Sequence, residues 1–254
     1  METKSPVPDA SLPQPGESGA VMMEDRWFDR VMMPAVVSGL LAMAAATQWI
    51  DYYFKTSPWF WTVVFFLSVL FVAWRYRVML PEVKQRHQGI RGERIVGQLL
   101  ENLRSFGCKV YHDIEEDGYN IDHLIIGPHG VFAIETKAPS KPSKGQSSVS
   151  YDGEKVTIGP FKPDPAPVIQ ARASARRVRA ILREMTGQEP AVTPVLLFVN
   201  WFVEIYTRDV STIVMNQTYF YKSFDNLRDR NSLPMSQVNS LSAGIERYLR
   251  EKSK

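Results

Sequence analysis

The sequence predicts an α/β soluble domain preceded by a two-helix transmembrane hairpin, and three observations predict it. Charged residues make up 22% of the 254-residue chain, yet between Val31 and Trp74 only Asp51 and Lys55 are charged. Further along, Ile95, Val96, Leu99, Leu100 and Leu103 recur at helical spacing, and three short strand-like runs follow at once. A helical period next to a two-residue period marks a mixed domain with its own core.

The chain is expected to open on a polar tail. Residues 1–25 are rich in Pro, Ser, Gly and acidic side chains, too poor in large apolar groups to offset the entropy of ordering. Residues 26–80 are expected to form the hairpin, with spans at about 31–50 and 58–74. Each is long enough for a bilayer core of ~30 Å, which takes roughly 17 to 25 helical residues. Trp49, Tyr52, Tyr53 and Phe54 close the first run, while Trp59, Phe60 and Trp61 open the second, the aromatic belt of a membrane interface. Two buried helices of a soluble core are the plainer reading. A cleavable leader fits worse, because the flank before the first run is not basic. Arg75, Arg77, Lys84, Arg86 and Arg91 follow the second span against Glu82 alone. The positive-inside rule therefore puts that flank, the N-terminus and the soluble domain in the cytoplasm of a two-span cell-membrane protein.

Residues 81–254 are expected to form the soluble domain. A helix is predicted over about Gly89 to Phe106, then strands at Cys108–Ile114, Ile121–Ile126 and Val131–Lys137, the last two joined by Gly127-Pro128-His129-Gly130, a hairpin signal. A second hairpin is predicted over Ser148–Ile158 around Asp152-Gly153. Val168–Met185 reads as a helix, Val195–Val199 as a buried strand, Thr212–Met215 as an edge strand and Ser236–Glu251 as a terminal amphipathic helix. One cysteine, Cys108, leaves no intrachain disulfide and no cysteine-rich zinc module, which suits a reducing compartment. The net charge of +3 is too small to specify a polyanionic partner.

The chemistry comes from the hairpin register. If Gly127 pairs with Gly130, Ile126 faces Val131, Leu124 faces Ala133 and Asp122 faces Glu135. Alternation puts Lys137 on the face of Glu135. Opposed carboxylates repel, so a sheet places them together only with compensation. A divalent cation supplies it, and Mg²⁺, or Mn²⁺, suits one or two carboxylates plus phosphate oxygens. A Glu-x-Lys triplet by itself is commonplace, and without Asp122 a surface ion pair would be the better reading. A bulge in either strand would break the register.

Gly92-Glu93 opening a helix, Ile121-Asp122-His123, Gly127-Pro128-His129-Gly130-Val131-Phe132 and Ile134-Glu135-Thr136-Lys137 together resemble the nuclease-related domain, a branch of the PD-(D/E)XK nuclease superfamily, over about residues 88–200. The resemblance implies a restriction-endonuclease-like mixed sheet flanked by helices. It also implies metal binding by Asp122 and Glu135, a water-activating or orienting Lys137, an acidic contribution from Glu93, and a glutamine on a following helix, here Gln170. Two positions depart from the family pattern: Asn120-Ile121-Asp122 stands for Gln-Ile-Asp, and Asp164-Pro165 for Asn-Pro. Glu93 is equally explained by the preference of acids for a helix's first turn, and Gln170 by a solvent-facing position. His123 and His129 read as structural or turn residues rather than ligands.

Arg172, Arg176, Arg179 and Arg183 fall at i, i+4, i+7 and i+11 and line one helix face, with Ala171, Ala175, Val178, Leu182 and Met185 towards another. Such a stripe can track a phosphate backbone, serve as a plain solvated face, or meet anionic lipid. The expected function is that of a membrane-tethered, metal-dependent nuclease, with DNA ahead of RNA. A non-catalytic nucleic-acid-binding or signalling module and a lipid-surface scaffold are its rivals. A homodimer is expected only by analogy with nucleases that cut both strands. No aromatic stacking platform or base-reading motif stands out, and the region after Trp201 has no assigned role.

Overall fold

The computed structural model describes residues 30, 32–52, 58–116, 119–141, 148–208, 211–227 and 232–252, and forms two compact units, one within Gly19–His87 and one over Gln88–Lys254. The expected polar tail, and Tyr53 and Phe54 of the expected aromatic belt, lie outside the described residues.

The first unit holds helix α1, Met33–Asp51, and the start of helix α2, Pro58–Glu101. Both runs are long and apolar enough to cross a membrane. Their large side chains are mostly open rather than packed into protein, Met43 at 65% and Leu70 at 66% exposure. That pattern disfavours two core helices of a soluble protein, whose apolar groups would be buried. Between the two helices the rings of Trp49 and Trp59 meet edge to face at 5.6 Å, and Trp49 Nε1 donates to Thr62 Oγ1 at 3.1 Å.

The second unit is a mixed α/β domain. Its five-stranded sheet has the order β1-β2-β3-β6-β8, built from Lys109–Glu116 (β1), Tyr119–Gly127 (β2), Gly130–Lys137 (β3), Val192–Phe198 (β6) and Ile213–Asn216 (β8). The first three form an antiparallel meander, and β6 and β8 add in parallel. Strand β8 is an edge, as expected. The hairpin of Ser148–Tyr151 (β4) and Val156–Ile158 (β5) forms as predicted but belongs to a separate small sheet of order β5-β4-β7. Its third strand, Phe202–Ile205 (β7), lies in the region left unassigned by the sequence.

Helices α3, Ala166–Thr186, and α5, Met235–Lys252, cover one face of the main sheet. There Val178, Ile181, Leu182, Leu241 and Ile245 pack on Leu124, Ile126, Val131 and Ala133. The end of α2, the 3-10 turn Asn102–Phe106 and helix α4, Gln217–Ser223, cover the other, where Val96, Leu100, Leu103, Phe220 and Phe224 meet Ile125, Phe132 and Ile134. Two packed faces explain why Leu124–Ile126 of β2 and Val131–Ile134 of β3 are continuously apolar instead of alternating with polar residues.

One sequence expectation is corrected here. No helix begins near Gly89: Gly92 and Glu93 lie inside α2, which runs on to Glu101. The first-turn dipole account of Glu93 therefore does not apply, since the effect fades within a turn of the helix end. Gly92 is needed for a different reason. A Cβ there would come within 2.4 Å of Ala138 Cβ, so the missing side chain lets α2 press against the exit of β3.

Candidate metal and acid centre

The main-chain ladder between β2 and β3 follows the predicted register from Gly127↔Gly130 to His123↔Ile134 and ends there. The next step holds Asp122 and Glu135. Instead of pairing through its backbone, Asp122 turns its carboxylate to the sheet, and the Thr136 N–H donates to Asp122 Oδ2 at 2.6 Å. A side-chain acceptor has replaced a carbonyl in the ladder, which fixes Asp122 beside the end of β3.

Strand β1 shows what happens on the other side. Its register with β2 is constant, His112↔His123 and then Ile114↔Ile121, and the intervening Asp113 and Asp122 fall outside that backbone ladder. Asp113 adopts φ 49°, a left-handed conformation uncommon for any residue with a Cβ. Tyr111 and Leu124 face the α3 and α5 side, and so do Ile114 and Ile121, three residues away from them in each strand. Simple alternation forbids that. Each strand therefore spends one residue outside the pleat at the same level, and those residues are Asp113 and Asp122. The distortion keeps the register, while Asp113 accepts from Asn120 Nδ2 at 3.1 Å and Asp122 from the Thr136 N–H at 2.6 Å.

Lys137 lies two residues beyond Glu135. Its ammonium donates to Glu135 Oε1 at 2.8 Å and to Gln170 Oε1 at 2.8 Å. Gln170 comes from the start of α3, so the glutamine suggested by the family pattern reaches the lysine. Glu93 approaches from α2. Burial, with the charges of Asp113 and Glu135 and against that of Lys137, pushes its carboxyl up to about 7. Burial also raises Asp122 well above the ordinary range, helped by Glu135 and Glu93 and opposed by the Thr136 N–H and Lys137. Glu93, Asp113, Asp122 and Glu135 thus interact in one neighbourhood beside the ammonium of Lys137, where burial and mutual repulsion favour the protonated carboxyls of Glu93 and Asp122. Among the described residues, no three His, Cys, Asp or Glu side chains stand in a ready metal-binding arrangement. Asp122 and Glu135 spend contacts on Thr136 and Lys137. The donor set is hard oxygen, the kind that suits Mg²⁺ or Mn²⁺ with water and phosphate completing the shell.

The histidines stand apart from this centre. His123 is fully buried, its Nδ1 2.9 Å from His112 Nδ1, and His112 Nε2 lies 2.8 Å from Glu101 Oε1. Burial, and then His112, push His123 well below its ordinary range, so it is neutral. His129 packs edge to face on Phe224 at 5.1 Å in the hairpin turn, at the far end of the strands from Asp122.

The arginine stripe divides. Arg172 is held by structure: its Nε donates to Thr212 Oγ1 and a terminal nitrogen to Gly153 O, each at 2.9 Å. Arg179 and Arg183 share Glu189, at 3.2 and 3.9 Å, and Arg176 is exposed. Asp113 is the site residue that the sequence did not reveal, since a left-handed aspartate within a strand has no sequence signature.

Residues 88–199 match the family model described as nuclease-related domain. No curated protein and no solved structure matches the chain. The matched segment is similar to that family and contains Glu93, Asp113, Asp122, Glu135, Lys137 and Gln170, the residues gathered at one end of the central sheet.

Proposed function

We propose that this chain is a membrane-tethered, divalent-metal-dependent nuclease that hydrolyses phosphodiester bonds of DNA ahead of RNA, on a restriction-endonuclease-like core with its soluble domain in the cytoplasm. The observation that carries the reading is the bridge of Lys137 between Glu135 and Gln170, beside an Asp122 fixed on the same strand end. Three elements converge there, and an incidental Glu-x-Lys ion pair needs only one.

Asp122 and Glu135 would hold Mg²⁺ or Mn²⁺, with Glu93 as a further acid of the same group. When bound, such an ion acts as a Lewis acid on the scissile phosphate and lowers the pKa of a coordinated water. Lys137 places a cation where charge builds on the phosphate or holds the attacking water, and Gln170 fixes its ammonium. Arg176, Arg179 and Arg183 lie on the exposed face of α3, the helix that delivers Gln170, and are proposed to steer the phosphate backbone. Arg172 is kept as a lesser contributor, because its guanidinium already clamps Gly153 and Thr212.

The test is cleavage of linear, circular and single-stranded DNA and of RNA by the full chain with Mg²⁺, Mn²⁺ or EDTA, alongside Asp122→Ala and Lys137→Ala. Metal-dependent cutting lost in both variants supports the reading. Salt-sensitive binding without cutting points to the non-catalytic module, and binding to anionic vesicles alone to the lipid scaffold.

A further inference from the structure

The small sheet carries exposed apolar groups at the end that meets the exit of β3. Trp201 is 1% exposed, and its Nε1 donates to the carbonyl of Pro139, two residues past Lys137, at 3.2 Å. A Cβ on Gly159 would lie 3.7 Å from the Trp201 ring. The indole therefore joins the exit of β3 to one end of the small sheet. At that end the Gly159 N–H donates to Ser148 O at 2.9 Å, and Ser148 is the register partner of Phe202.

Phe202 follows Trp201 directly and is 61% exposed, while Phe161, two residues after Gly159, is 63% exposed. Ile169, next to Gln170 on α3, is 57% exposed. Val203 packs into the core beneath, so alternation turns Phe202 outward. Lys141 and Lys162 are exposed on the flanking segments. Single exposed apolar residues are ordinary, but Phe202 adjoins the Trp201 that binds the exit of β3, Phe161 follows the Gly159 that lies against that indole, and Ile169 adjoins Gln170, so the three mark a contact surface near the end of β3.

We propose that Phe161 and Phe202 form a stacking platform for unpaired nucleotides, so that the substrate presents a single strand, whether free, at an end or in a flap. The inference rests on the nuclease reading and adds the form of the nucleic acid. Aromatic faces bind bases of any sequence by stacking, and cations beside them take the backbone. Bases inside a duplex already stack on each other and offer no face. Continuity with Lys137 and the nearby lysines favour this occupant over lipid, which has no use for the catalytic end of β3.

The test uses the full chain in phosphatidylcholine nanodiscs with EDTA, and anisotropy of a labelled oligothymidylate, an abasic strand and a blunt duplex of equal length. Phe161→Ala and Phe202→Ala should each weaken oligothymidylate binding roughly five- to hundredfold and leave the abasic strand unchanged. Phe202→Trp should restore binding, with its added fluorescence quenched by oligothymidylate and not by the abasic strand. Alanine variants that bind oligothymidylate like wild type, lose the abasic strand equally, or lose only phosphatidylserine vesicles would overturn the platform. A chain that cuts duplex with metal regardless of both phenylalanines keeps the nuclease reading and loses the platform. One that neither binds nor cuts any nucleic acid loses both.

Discussion

The ammonium of Lys137 sits 2.8 Å from the amide oxygen of Gln170, which belongs to a different element 33 positions later in the chain. The same ammonium meets Glu135 at 2.8 Å, so two acceptors on two elements fix one donor. Replacing Gln170 with Ala removes one anchor without removing a charge. Turnover in the cleavage assay should fall roughly 10- to 100-fold, the usual cost of loosening a supporting residue, with KM little changed. An unchanged turnover would mean that Gln170 is only a solvent-facing helix residue.

Gly92 sets the distance from α2 to the end of β3. Alanine is the better helix former by about 1 kcal/mol, so in an open helix Gly92→Ala would stabilise. Here its Cβ meets Ala138 Cβ at 2.4 Å, and an overpacked contact costs about 1 to 3 kcal/mol. The substitution should lower the midpoint of chemical denaturation and reduce cleavage by displacing Glu93. A rise in stability would show that the contact is slack.

Glu93 gives the pH dependence. Its folded value of about 7 lies above the ordinary value of 4.5, so the folded state binds that proton more tightly than the unfolded state. The stability this contributes is complete below about 4.5 and is lost as pH rises through about 7. Thermal melts in EDTA should show Glu93→Gln gaining on wild type as pH rises across that window, and matching it below. Mg²⁺ should narrow the gap at high pH, because a ligand that binds the folded state stabilises it. A gain of equal size at every pH would separate the effect from this carboxyl.

Asp113 is defined by its backbone as much as by its charge. At φ 49°, asparagine is tolerated and a β-branched residue is not. Asp113→Asn should therefore fold normally, and Asp113→Val should lose about 1 to 2 kcal/mol or more in denaturant titration. Equal stability of the two variants would contradict the left-handed geometry.

Much of the centre was legible in the sequence. The turn Gly127-Pro128-His129-Gly130 set the register, and that register carried Asp122 to the level of Glu135. Other features depend on distant parts of the chain. Strand β7 is four residues with exposed ends, and it exists because β4 pairs with it in parallel across a long separation. The split of β4 and β5 from the main sheet follows from that partner. Glycines at 89 and 92 suggested a helix start, but glycine lowers helix stability without ending a helix. The paired distortion at Asp113 and Asp122 preserves the register, so the pairing gives no hint that alternation has shifted.

The central claim is that the carboxylates and Lys137 form a metal-dependent hydrolytic centre. Its most direct test is the single-turnover rate of DNA cleavage by the full chain across a Mg²⁺ titration, for wild type, Asp122→Asn and Lys137→Ala. The account predicts a rate that saturates with Mg²⁺ in wild type. It also predicts a fall of about a hundredfold or more in each variant, the scale of losing one transition-state contact. Cleavage that persists in EDTA, or in both variants, would contradict it.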